Sequence, residues 1–358
     1  MRIHRYTRPM IAATITAQGA PVAPNIAVVE DHPEPPTPAP GEVTIKTIAS
    51  ALNHMDIWVG MGIPGVDLTY PRVSGCDACG TVEALGEGVH PEWLGKRVIF
   101  NAAVPQPEPN PPHEPPATTL APNYQLIGEH HNGAHRERFN CPAQNLAALP
   151  DDADPFDAAA FGLTFLTAWS MIITKANLRP GQTVLITGIG GGVALAALNI
   201  CNWLACPAIV TSRHQWKLDR AEELGAAHTL LDEGQDWSKE VRAFTSKRGV
   251  DMAVDSVGKP THMNCIKSLA RGGAFVTPGN TGGPKVETDQ ARIFWNQLRI
   301  LGSTMGTTDE LKQLTALFTK GHLTPVIDQV FNAREARAAW ERLEAQDQFG
   351  KIVLDWRS

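Results

Sequence analysis

The sequence predicts an α/β protein in which a Rossmann-type, doubly wound parallel sheet is joined to a second, mainly β domain. Three observations carry this expectation. From Thr183 onward short apolar strands alternate with helical segments; a glycine-rich turn lies directly between one such strand and the helix after it; and the region before Asp151 reads as strands separated by glycine turns. A chain of 358 residues is also long for one hydrophobic core, which argues for two packed domains.

From Gly41 the run GEVTIKTIASALN alternates apolar and polar residues. VSGCDACGTVEALGEGV followed by GKRVIF then repeats the theme of strand, glycine turn, strand. Residues 101–122 hold eight prolines without apolar periodicity and are expected to form an exposed loop of polyproline character. Near Asp151 the character changes: DDADPFDAAAFGLTFLTAWSMI opens on acidic and proline helix-start signals and continues as an apolar helix. The strand TVLITG and a helix through Leu204 follow, then strand AIVTS, helix WKLDRAEELGA, strand HTLL, helix SKEVRAFTS, strand VDMAVDSV, helix THMNCIKSLA and strand GAFVTPG. Alternation at this spacing implies parallel pairing, because a helical crossover returns the chain to start the next strand in the same direction. A strand near LRILGST, helices in DELKQLTALFTKG and AREARAAWERLEA, and a last strand KIVLDW complete the pattern.

Hydrophobic residues at 43% and charged residues at 19% fit a globular soluble chain. No apolar run is read as reaching the ~20 residues of a bilayer crossing, so no membrane partner is expected. Arg2, Arg5 and Arg8 are followed by no apolar signal-peptide core, which reads as a short basic extension on a cytoplasmic protein. A net charge of −6 gives no general attraction to phosphate backbones, so nucleic acid is not an expected partner. The cysteines at 76, 79, 141, 201, 206 and 265 are too sparse for a disulfide framework. Cys76 and Cys79 alone have metal-like spacing, and without a second pair they read as structural.

The strand TVLITG ends in Gly188, Ile189, Gly190, Gly191, Gly192, Val193 and Ala194, and a helix begins at once. Glycines in that place let the backbone turn sharply and approach a pyrophosphate, whose charge meets the unpaired N–H groups and positive end of the helix. Set inside a βαβ unit, the loop predicts dinucleotide binding. A literal GxGxxG would need glycine at Val193; the run instead fits a variant spaced Gly188, Gly191, Ala194. The next strand ends in Val210, Thr211, Ser212, Arg213 and His214, with Lys217 one turn into the following helix. No acid is there to bind a free ribose 2′-hydroxyl, whereas Ser212, Arg213 and Lys217 suit a 2′-phosphate, so NADP(H) is the expected cofactor. An ordinary solvated helix start is the other reading of the same residues.

GEVTIKTIASALNHMDIWVGMGIP, YPRVSGCDACGTVEALGEGV, the glycine loop, VDMAVDSVG and the closing FGKIVL together resemble the medium-chain dehydrogenase/reductase superfamily over nearly the whole chain. The resemblance implies a GroES-like, mainly β catalytic domain made of residues 1–154 and 303–358, with a Rossmann dinucleotide-binding domain at 155–302 between them. It also implies cofactor contacts at Thr167, Val257, Gly279, Thr281, Ser303 and Met305, and assembly as a homodimer or homotetramer.

In zinc alcohol dehydrogenases of that superfamily a cysteine, a histidine and a second cysteine hold the catalytic metal beside an acid. Here the first cysteine falls at Asn53, the histidine at Cys76, the acid at Asp77 and the second cysteine at Leu163. Zinc takes three or more nitrogen, sulfur or carboxylate ligands from the protein, and only Cys76 and Asp77 qualify. The four cysteines of the structural zinc lobe have no counterpart in 101–122. Both metals are expected to be absent, with a rebuilt site using His54, Cys76 and Asp77 as the alternative. His130, His131 and His135 read as polar loop and strand-edge residues rather than ligands.

Without a Lewis acid, reduction of a simple ketone must stabilise an alkoxide by hydrogen bonds alone. A quinone or α,β-unsaturated carbonyl instead takes hydride to give a delocalised phenolate or enolate, for which orientation and one or two donors suffice. The expected function is therefore zinc-free hydride transfer from NADPH to such a small-molecule acceptor, as in the quinone oxidoreductase branch of the resemblance. The catalytic candidates are Asn53, His54 and Asp56. Asn53 would be a donor near the substrate oxygen or, equally, a helix cap. His54 would contact the cofactor or relay a proton, and Asp56 would fix the loop. Two other readings stay open. FWNQLRILGSTMGT is closer to zinc-type alcohol dehydrogenases, which suggests a degenerate carbonyl reductase, and a non-catalytic NADPH-binding protein of the crystallin kind is the third.

Overall fold

The computed structural model describes residues 9–104, 118–121 and 123–357. The basic extension expected before Pro9 and most of the proline-rich loop lie outside the described residues. The chain divides into two compact units. One runs to Leu163 and includes Thr307–Thr319 and Ile327 onward; the other is Thr164–Gly306 with Lys320–Val326. The division falls inside the helix Pro155–Trp169, not before it as expected, because the Leu163 N–H donates to Asp77 Oδ1 (3.2 Å) and so ties the first half of the helix to the β unit. At the far end it falls at 306/307 rather than 302/303.

The first unit is built on a seven-stranded sheet whose long strand Glu42–Ala51 pairs antiparallel with Ala78–Leu85, Arg138–Pro142 and Lys351–Asp355. The last strand arrives by a right-sized crossover: Ile327–Asn332 and Lys351–Asp355 pair in parallel around the helix Ala336–Glu344. Trp340, Ala336 and Ala339 of that helix are buried with Ile352, Leu354, Leu52 and Ile57 in one apolar cluster. Two registers matter for the site. Val353 lies opposite Ala51, with the Leu52 N–H donating to Ile352 O (2.9 Å), and the Ala51 N–H donates to Asp77 O (2.9 Å) on the other side. The end of one strand is thus flanked by residues 351–352 and by residue 77.

The second unit is a six-stranded sheet, all parallel, in the spatial order His228–Leu231, Ala208–Ser212, Val184–Ile186, Val250–Val254, Leu269–Thr277, Arg299–Gly302. The first strand in sequence lies in the middle and the order reverses beside it, which is the switch point where open α/β sheets bind dinucleotides. The central strands Val184–Ile186 and Ala208–Ser212 are buried along their whole length and read as continuous apolar runs for that reason. Each strand expected in this region forms. One expectation about length is corrected: Pro155–Lys175, whose last turn is a π-helix, is long and apolar enough by length and composition to cross a bilayer. Most of its apolar window is buried in protein, as in a core helix.

Candidate functional site

Each unit carries one part of the candidate chemistry. In the second unit Gly188 and Gly190 adopt φ of +65° and +108°, the left-handed region that favours glycine, and Gly191 caps the helix Gly192–Trp203. A Cβ on Gly188 would meet Val257 Cγ2 at 2.9 Å, so the loop is pressed against the turn after Val250–Val254. That turn is organised by Asp255, which is fully buried and was missed in the sequence. It accepts from Thr187 Oγ1 (2.5 Å), Thr261 Oγ1 (2.6 Å) and the Gly258 N–H (3.0 Å), tying together the ends of the two central strands.

The other expected cofactor contacts fall on the same unit. Thr281 N–H donates to Ser256 O (3.2 Å) and Thr277 Oγ1 donates to Gly279 O (2.8 Å), which fixes the loops at the carboxyl ends of adjacent strands. Met305 is buried and holds a positive φ of 50°, a strained conformation for a side chain of its size. Thr167 Oγ1 and Ser303 Oγ are buried hydroxyls with no hydrogen-bond partner among the described residues. An unpaired buried donor costs roughly 1–3 kcal/mol, so two such hydroxyls in the same unit as the glycine loop fit a polar ligand that supplies partners. At the strand end Ser212 Oγ accepts from the His214 N–H (3.2 Å) and Arg213 is exposed. Lys217 is not the solvated cation of the alternative reading: it is buried, and its ammonium lies 5.2 Å from the centroid of the Trp216 ring.

In the first unit the strand registers bring Asn53, Cys76, Asp77 and Lys351 together. Lys351 was not among the sequence candidates. Its Nζ donates to Asn53 Oδ1 (2.5 Å) and to Asp77 Oδ2 (3.3 Å). Asn53 Nδ2 donates inward to Ala51 O (3.3 Å), with Cys76 Sγ and Asp77 Oδ2 each at 3.5 Å. Burial pushes the Asp77 carboxyl above its usual range, with Lys351 and the Leu163 N–H offsetting only part of the shift. Burial also raises the Cys76 thiol well above its usual range, and Asp56 and Asp77 add to it. The helix reaches Asp77 only because residue 162 is glycine; a Cβ there would lie 2.6 Å from Asp77 Oδ1.

Asn53 also takes the N-cap position of the helix His54–Met61, where its backbone N–H donates to Asp56 Oδ2 (2.7 Å). The helix-cap reading of Asn53 is therefore realised, and its amide is committed to Lys351 and Ala51. Asp56 fixes the loop through that bond and through His135, whose Nε2 faces Asp56 Oδ1 at 3.3 Å with both side chains fully buried. His135 Nδ1 pairs with Ser50 Oγ (2.8 Å), which accepts from Trp356 Nε1 (2.8 Å). The loop reading of His135 is corrected by this network, whereas His130 and His131 are exposed as expected. His54 is half-buried and edge-on to Trp58, and burial lowers its imidazole below the usual value.

The set at residues 53, 76, 77 and 163 does not fit a catalytic zinc. Two of the four positions offer amide and alkyl groups, and a cation, the Lys351 ammonium, already sits against the carboxylate. Among the described residues no three His, Cys, Asp or Glu side chains form a group that could hold a metal.

Two family models match parts of the chain. Residues 39–151 match the alcohol dehydrogenase GroES-like domain family, and residues 192–320 match the zinc-binding dehydrogenase family. A zinc-type alcohol dehydrogenase-like protein, YogA, of Leptosphaeria maculans is 29% identical, over 89% of this chain and 92% of its own. A 2-haloacrylate reductase of a Burkholderia species is 28% identical over the same shares. A solved NAD-dependent alcohol dehydrogenase is 36% identical with a TM-score of 0.89, over 97% of this chain and 99% of its own.

Proposed function

The chain belongs to the medium-chain dehydrogenase/reductase superfamily and is an NAD(P)-dependent oxidoreductase of that kind, and from this premise we propose that it reduces an electrophilic conjugated acceptor, a quinone or an enone, with NADPH and without zinc. The observation that carries the reading is the pairing of a fitted dinucleotide cradle with a metal position filled by Lys351 and Asn53. Bound NADPH supplies the hydride. Gly188, Gly190, Gly191, Gly192 and Val193 would hold its pyrophosphate, Ser212, Arg213 and Lys217 its 2′-phosphate, and Thr167, Val257, Gly279, Thr281, Ser303 and Met305 the nicotinamide half. A saturated ketone needs strong polarisation of its C=O bond, whereas a conjugated acceptor spreads the incoming charge, so a site lacking a divalent ion favours the second. The 2-haloacrylate reductase relative supports that acceptor class.

The competing reading, a carbonyl reductase, is favoured by the solved NAD-dependent alcohol dehydrogenase. Steady-state oxidation of NADPH and NADH with a quinone, an enone and a saturated ketone of matched size separates the two. The expected result is turnover with the conjugated acceptors, preference for NADPH, and a loss of roughly 1–3 kcal/mol in NADPH affinity for Arg213→Ala. Ketone reduction alone, or equal use of NADH, would count against the proposal. Saturable NADPH binding with no oxidation by any acceptor would instead mark a binding protein.

A second copy of the chain is the proposed protein partner. Arg299–Gly302 is an edge strand with Ile300 exposed, and Phe294 and Trp295 just before it are each 69% exposed. An unpaired edge beside exposed aromatic residues is costly in a monomer. Light scattering should therefore give the mass of a dimer or tetramer, and Phe294→Asp with Trp295→Asp should shift it towards that of one chain. A monomeric parent would refute this. The six cysteines, all unpaired, support a reducing, cytoplasmic setting.

A further inference from the structure

We propose that Lys351 is the group that binds the acceptor's oxygen, so that an ammonium of the protein itself does the electrostatic work a metal would do. The inference rests on the proposed conjugated-acceptor function and adds the residue that stabilises the charge. An ammonium has three N–H donors. Those of Lys351 reach Asn53 Oδ1 and Asp77 Oδ2, and the third has no acceptor among the described residues. Lys351 is 5% exposed and Asn53 8%, so the cation is almost wholly removed from water.

Three features make this a built site rather than a chance ion pair. Asn53 and Asp77 hold the ammonium from two sides, and each is itself held: Asn53 by the helix cap and Ala51 O, Asp77 by the Leu163 N–H. The lysine stem starts a strand whose register against Glu42–Ala51 fixes where Nζ falls. The carboxylate nearly balances the lysine charge, so the third N–H presents a fixed dipole to a neutral carbonyl. As hydride adds to the β-carbon of an enone, the π electrons move to the carbonyl oxygen. That oxygen becomes an enolate accepting the Lys351 N–H, and a proton from solvent then adds at the α-carbon. The enone is reduced by two electrons, and NADPH is oxidised to NADP⁺. A preorganised donor aimed at developing charge acts mostly in the transition state.

Two readouts on the full chain test this. In steady-state kinetics Lys351→Met should lower kcat with an enone about a hundredfold while the NADPH dissociation constant stays within about twofold, as for loss of one oxyanion donor. Because that change strands a buried carboxylate, the double variant Lys351→Met with Asp77→Asn, which removes both charges, should show the same fall in kcat and a cooperative unfolding transition. Independently of turnover, para-nitrophenol serves as a probe, since its absorbance reports its ionisation. Parent protein with NADP⁺ should bind it as the phenolate at a pH where free probe is mostly neutral, and neither variant should. A parent that leaves the probe's ionisation unchanged or does not bind it, or variants that match the parent in either readout, would overturn the assignment. A parent that fails to reduce any conjugated acceptor yet shifts the probe through Lys351 would overturn the proposed function alone.

Discussion

Replacing His135 by alanine should cost about 3–5 kcal/mol of folding stability, the scale for deleting a large buried side chain and leaving a buried carboxylate without its neighbour. His135 and Asp56 are each fully buried, 3.3 Å apart, and the imidazole is also bonded to Ser50 and packed edge-on against Trp340 at 5.1 Å. Burial alone would push the Asp56 carboxyl up, but the charge and hydrogen bond of His135, with the Asn53 N–H and Ser74, hold it below its usual value. A depressed acid contributes stability that is present above its unfolded-state pKa and is lost as pH falls through the folded one. In the parent this contribution should fade only below about pH 4. Without His135 the burial cost dominates and the same carboxyl titrates above its unfolded value, so the variant regains stability as pH falls. The difference between the two proteins should therefore be largest at neutral pH and shrink in acid. Urea unfolding across that range checks it, and Asp56→Asn on top of His135→Ala should recover part of the loss by removing the stranded charge. A neutral-pH difference under about 1 kcal/mol, the ordinary size for a point mutation, would contradict the account.

The parts of the molecule that were readable beforehand are those whose signal is local. Alternating strands and helices, the glycine loop and the missing acid after Ser212 all lie within short windows, and local patterning fixes strand direction and helix starts. The capping pattern at Asn53 and Asp56 was also legible, as Asn followed three residues later by an acid before an apolar run. What the sequence hid is long-range. Lys351 is 298 positions from Asn53, and only the pairing of two distant strands makes them neighbours. A lysine opening the buried run KIVLD was the one available hint, because a cation at the head of a core strand needs a partner. His135 was masked by its neighbours: of three histidines in one loop, only the third turns inward, where Ser50 and Asp56 wait on separate elements. Asp255 lies within the quoted run VDMAVDSVG, but nothing local shows that it ties the cofactor loop to the next turn by hydrogen bonds from Thr187, Gly258 and Thr261.

The largest qualitative effect expected is in where the hydride goes. An enone offers two electrophilic carbons. A divalent metal draws charge on to the carbonyl oxygen and supports attack at the carbonyl carbon, giving an allylic alcohol. A single N–H donor such as Lys351 stabilises an oxygen whose charge is already shared across the conjugated system, and this favours attack at the β-carbon. Reaction of one enone with NADPH deuterated at the transferred position, followed by NMR of the product, tests the central claim most directly. The account predicts a saturated ketone carrying deuterium at the β-carbon; an allylic alcohol carrying deuterium at the carbinol carbon would contradict it.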